Sequence, residues 1–184
     1  MRLRSTAGCV SIMVLLGAAS AHAGSAVFVY QVTPLGGNVF QYTYSVFNNS
    51  ALGPGVAIQL FDIEFDPTLY DENSLTSMTP SPLNTQWSEQ FLTPVPPLPA
   101  AYDVFALAGG IPDGGTASGF AVRFTWLGQG SPGAQPFEIF DPETFDLLQS
   151  GATGTAPEPS TVFLIGISLA FCALTLRIRR KRIA

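Results

Sequence analysis

Between residues 24 and 149, apolar and polar side chains alternate with a two-residue period in short runs separated by glycine, proline and asparagine. Such alternation places one set of side chains on each face of a half-buried strand. Phe40, Tyr42, Tyr44 and Val46 share one face, with Gln41, Thr43 and Ser45 on the other. Phe120, Val122, Phe124 and Trp126 form a second such face, from which Arg123 points away. In the run 61–66, Phe61, Ile63 and Phe65 point inward and Asp62, Glu64 and Asp66 outward. Further strands are expected over 26–33, 56–60, 102–107, 136–140 and 144–148. No helical period appears in this segment.

Turn chemistry fits between these runs. Pro34, Leu35, Gly36, Gly37 and Asn38 predict a hairpin, and 48–55 and 111–115 predict loops. The proline-rich stretch 93–99 reads as a long stiff loop inside one domain, since neither half holds enough strands alone. The expected fold class is therefore all-β, a single β-sandwich over 24–149. About 125 residues suffice for one core without disulfides, with aromatic side chains supplying much of its area. Residues 150–156, Ser-Gly-Ala-Thr-Gly-Thr-Ala, read as a flexible linker.

The two ends follow other patterns. Arg2 and Arg4 precede an apolar stretch at 7–19, and Ala21-His22-Ala23 supplies the small-x-small pattern that signal peptidase admits. Residues 1–23 are expected to be a signal peptide, handled by the Sec machinery and cleaved after Ala23. Thirteen apolar residues make ~20 Å of helix, short of the ~30 Å hydrocarbon core. Cys9 has neither an aliphatic residue three positions earlier nor a preceding hydrophobic region, so a lipoprotein is not expected.

At the other end Pro157, Glu158, Pro159 and Ser160 lead into sixteen apolar or small residues, 161–176. The basic cluster Arg177, Arg179, Arg180, Lys181 and Arg182 follows. The run predicts a helix of ~24 Å, marginal for spanning but extended by snorkelling arginines. The basic cluster should stay cytoplasmic as a stop-transfer signal, which places the acidic segment outside. Two prolines bias the motif towards an extended chain at the membrane surface.

This tripartite tail, residues 157–182, closely resembles the PEP-CTERM sorting signal of Gram-negative bacteria. The resemblance implies that exosortase, an integral-membrane cysteine protease, recognises Pro157, Glu158 and Pro159 and cleaves near them. It also implies an inner-membrane-anchored intermediate, then a place at the cell surface or in an extracellular matrix associated with exopolysaccharide. The runs 61–70, 119–130 and 135–146 resemble the ectodomains of short PEP-CTERM proteins, which look like β-sandwiches of the immunoglobulin or cohesin type.

Charge narrows the chemistry. The formal net charge is −5. All 13 acidic residues and a single base, Arg123, lie in 24–160, so that segment carries −12 while the ends carry the remaining seven bases. Removal of both ends leaves about −11 or −12, depending on the side of Glu158 that is cut. The segment has no Lys, His or Cys, since His22, Cys9 and Cys172 lie in the terminal segments. That excludes a Ser-His-Asp triad, a Cys nucleophile, a Lys Schiff base and His- or Cys-ligated metal from it. A surface at −12 repels phosphate, so nucleic acid is not an expected partner.

Carboxylates remain. Asp62, Glu64 and Asp66, with Asp71 and Glu72 after a turn, could converge on Ca²⁺, or simply form a solvated strand face. Asp141, Glu143 and Asp146, or Asp62 with Glu64, could be nominated as a glycosidase pair, but nothing pairs them, and catalysis and a cofactor are not expected. Trp87 and Tyr102 could stack on sugar rings in a carbohydrate-binding or adhesive module, or pack in the core. Asn48-Asn49-Ser50 matches a glycosylation sequon that a turn explains equally well.

Overall fold

The fold begins with two strands joined by a tight glycine turn. In the computed structural model, which describes residues 27–155, β1 (Val27–Gly36) and β2 (Val39–Phe47) pair antiparallel. Gly36 and Gly37 take φ of 113° and 58°, a region open to glycine at little cost. The chain continues through β3 (Leu60–Phe65), β4 (Tyr70–Ser77), one helical turn α1 (Leu83–Gln86), β5 (Trp87–Leu92) and β6 (Ala100–Ala106). It ends with β7 (Thr116–Trp126), β8 (Pro136–Phe140), β9 (Leu147–Ala152) and β10 (Gly154–Thr155). One sheet has the order β10-β1-β2-β7-β4 and the other β5-β6-β3-β8-β9.

The alternating faces close on each other. Phe28 of the first sheet meets Phe61 and Phe137 of the second at centroid distances of 5.1 and 4.2 Å. Phe120 meets Phe61 and Trp87 at 5.3 Å each. Towards one end, Tyr70 contacts Phe65, Phe124 and Trp126 edge-on at 5.0–5.2 Å. Each such pair contributes about 0.5–1.5 kcal/mol beyond its buried area, which is how a core without disulfides is held. The buried hydroxyls are satisfied across the sandwich: Tyr42 donates to the Gly133 carbonyl at 2.7 Å and Tyr44 to Gln135 Oε1 at 2.7 Å.

Several elements differ from the sequence reading. The expected strand at 56–60 is a single bridge from Ile58 to Ile111, and β3 begins only at Leu60. The loop before it is set by Gly53 and Gly55 at positive φ and by buried Asn48, whose Nδ2 donates to Val56 O at 2.8 Å and Ile111 O at 3.0 Å. The expected strand at 144–148 starts at Leu147 instead, because Asp141 accepts the N–H groups of Glu143 and Thr144 and closes a turn. Three strands lie outside the prediction, β4, β5 and the short β10. In β4 a bulge between Asp71 and Thr76 breaks the alternation, and in β5 the inward row Trp87, Glu89, Phe91 contains a carboxylate, hydrogen-bonded by Ser77.

The expected linker at 150–156 is folded over its described part. Ser150 to Ala152 belong to β9, and Gly154 and Thr155 pair with Val29 and Tyr30 in parallel. Between them the chain crosses from one sheet to the other at Thr153, 2% exposed, which exchanges hydrogen bonds with Gln135. The proline-rich stretch 93–99 joins β5 to β6, which are neighbours in one sheet.

Candidate functional site

The residues on which the sorting reading rests, Ala21, Ala23, Pro157 to Ser160 and the basic cluster Arg177, Arg179, Arg180, Lys181 and Arg182, lie outside the described residues, as does the expected helix 161–176. Among the described residues no helix is long and apolar enough to cross a membrane. The remaining nominated side chains can be placed.

The structure does not assemble Asp62, Glu64 and Asp66 as a cation site. Asp66 lies beyond the end of β3 and turns into its own loop, where it accepts the Thr68 hydroxyl at 2.7 Å and the Thr68 N–H at 2.8 Å. Those bonds hold its carboxyl below the usual range. Among the described residues no group of three or more His, Cys, Asp or Glu side chains is placed to hold a metal ion.

Register brings together a different set. Across the outer face of the second sheet Asp103, Asp62 and Glu138 stand directly opposite one another on β6, β3 and β8. Gln90 of β5 faces Asp103 and donates to its Oδ1 at 2.9 Å, and Ser150 of β9 faces Glu138. The adjacent row is apolar, Phe105, Leu60, Phe140 and Leu147. Like charges opposed in a sheet are unfavourable. Partial burial, then the Asp103 and Glu138 charges, push Asp62 up to about 7. Sequence reasoning found Asp62 on the outward face but not its partners, since cross-strand register is not written in a single strand.

The other nominated groups have structural tasks. Asp141 is half-buried and caps its turn, with its carboxyl lowered by the Thr144 and Glu143 N–H groups. Trp87 is 5% exposed and Tyr102 fully buried, so of the two alternatives for these aromatics the structure takes core packing, and neither can stack on a sugar ring. Asn48 is 1% exposed and its amide is consumed by two carbonyls, which leaves it no room to carry a glycan.

Four loops gather at the end of the sandwich where β1 finishes and β2, β4, β6 and β8 begin: 37–38, 66–69, 93–99 and 127–135. Their neighbours are fixed by Trp126 N–H to Asn38 O and Leu127 N–H to Leu69 O, both 2.8 Å. An open depression of about 350 Å³ between two of them is lined by Glu64, Asp66, Pro67, Pro97, Pro99 and Pro136. Near the same end Arg123 is exposed beside a depression of about 360 Å³ with Val39, Asn73, Thr76 and Thr125, and no ion pair holds it among the described residues.

The arrangement defines a class: a domain of two facing β-sheets followed directly by a C-terminal sorting peptide. The peptide can be specified, because residues 155–181 match the family model described as the PEP-CTERM protein-sorting motif, and the chain carries that motif. The motif marks an exported protein and implies exosortase as its processing partner. No curated protein matches the chain. Among solved structures, the chain is similar to one from a type I cohesin–dockerin complex of Clostridium thermocellum, with 12% identity and a TM-score of 0.34 over 71% of this chain and 99% of that one. A chain of a CaDoc0917–CaCohA2 complex gives 13% identity and a TM-score of 0.32 over 71% and 100%.

Proposed function

We infer that the protein is delivered to the outside of the cell by cleavage at both ends and acts there as a binding or structural component of the envelope or matrix. The observation that carries this reading is the match of residues 155–181 to the sorting motif. The signal at 1–23 directs export, the run 161–176 holds the intermediate in the membrane, and exosortase cuts near Pro157-Glu158-Pro159. The folded domain then leaves as an acidic module with one arginine. A role in binding rather than catalysis agrees with the chemistry left to that domain. Of the carboxylates considered for acid–base work, Asp141 caps a turn and Asp62 stands opposite Asp103 and Glu138 in a row, and exopolysaccharide is the matrix that the sorting system implies.

The test is fractionation of cells expressing the wild type or the triple variant Pro157→Ala, Glu158→Ala, Pro159→Ala, with and without exosortase. Wild type in competent cells should be released from the inner membrane in a shortened form. The variant, and wild type without exosortase, should remain there at full post-signal length. Identical fractions in all four cases would remove the proposal.

A further inference from the structure

The last described strand says where the chain is going. β10 is parallel to β1, with Thr155 beside Tyr30, so the chain leaves the sandwich towards the end marked by Gly36. That end lies six residues further along β1, ~20 Å at strand rise. Only residues 156–160 separate Thr155 from the apolar run that starts at Thr161. The six steps from Thr155 to Thr161 reach at most ~20–22 Å, about level with that end. A membrane that takes up the apolar run therefore lies no farther out than the loop tips.

The side chains at those tips suit such a neighbour. Leu35, Val95, Leu98 and Leu127 are 50–66% exposed, and Leu69 beside Leu127 is 37% exposed. The four loops contain one charged side chain, Asp66, an exposed carboxylate that accepts the Thr68 N–H and hydroxyl. The opposite end also exposes apolar groups, Leu107 and Phe145 among them, but its loops carry Asp113, Asp141, Glu143 and Asp146. Arg123, the only cation among the described residues, stands three residues behind Trp126 on the outer face, ~10 Å from the tips. A long basic side chain at that depth can reach towards lipid phosphate.

We propose that, before sorting cleavage, this loop end of the sandwich rests in the headgroup layer of the outer leaflet, with Leu35, Leu69, Val95, Leu98 and Leu127 in contact with lipid. The inference rests on the reading that 161–176 sits in the membrane. Docking holds the cleavage motif at the surface and gives the domain one orientation towards a membrane protease. Removal of the tail leaves these contacts as the only attachment, so the domain can detach.

The test uses the signal-cleaved chain with its tail intact, in a Cys172→Ser background, in vesicles of phosphatidylethanolamine and phosphatidylglycerol. Spin labels are placed singly at Leu98→Cys, Leu127→Cys and, at the far end, Phe145→Cys, all exposed positions whose labelling leaves the core untouched. Labels at 98 and 127 should be several-fold more accessible to oxygen, relative to an aqueous nickel chelate, than the label at 145. Equal accessibility at all three, or lipid contact at 145 instead, would overturn the proposal while leaving the membrane tail in place. A chain that does not float with the vesicles would overturn the membrane reading and this proposal together.

Discussion

Asp62 is the residue whose environment departs most from what its strand pattern suggests. An outward carboxylate on an alternating strand reads as a solubilising group, yet here it is flanked by Asp103 and Glu138 and its Oδ1 is buried without a hydrogen-bond partner among the described residues. Its raised pKa has a definite sign for stability. Below the unfolded value near 4, Asp62 is protonated in both states and imposes no penalty. As pH rises from there to about 7 the unfolded chain ionises Asp62 while the folded domain keeps the proton, so stability falls across that window and levels off above it. Asp62→Asn should therefore leave stability at pH 4 nearly unchanged and raise it at pH 8 by about 1–2 kcal/mol, allowing for solvent screening. Denaturant unfolding at the two pH values measures this; an equal effect at both would contradict it. Trp87 and Tyr102 teach the converse lesson. The sequence left both stacking and core packing open for them, and strand alternation, not proximity to a loop, decides where an aromatic points.

At the scale of elements, the clearest alternations became β2, β3 and β7, and the glycine turn after β1 was equally legible. What the sequence concealed was local polar chemistry. A run of Asp, Glu, Asn and Ser in β4 reads as loop because its bulge interrupts the period, and Asp141 delays β9 by closing a turn. The small residues of 150–155 suggested flexibility, whereas Gly151 is small because the Phe137 ring crosses it: a Cβ there would fall 2.9 Å from that ring. Backbone amides paired in β9 and β10, with that of Thr153, should therefore exchange slowly with solvent, and hydrogen exchange at the rate of an open chain would refute the pairing. Asn48 clamps two loops that carry little regular structure. Asn48→Ala leaves the Val56 and Ile111 carbonyls without that partner, and a loss of about 2–3 kcal/mol is expected by thermal or denaturant unfolding.

For the whole molecule, the sorting motif was the most readable feature because it is defined by the order of residues along the chain, over 155–181. Seven of the eight bases sit in the two terminal segments, and the folded domain between them holds twelve of the 13 acids and Arg123. The loop end towards which the chain departs could not be read in advance. It depends on β10 pairing parallel to β1, a long-range choice made by two residues within an expected linker. The central claim, that this is an exported domain released by cleavage at its C-terminal motif, is tested most directly by mass spectrometry of the protein recovered outside exosortase-competent cells. The account predicts an N-terminus at Gly24, a C-terminus near Pro157-Glu158-Pro159 and no peptide from Val162 onward. Recovery of the intact tail, through Arg182, from that fraction would contradict it.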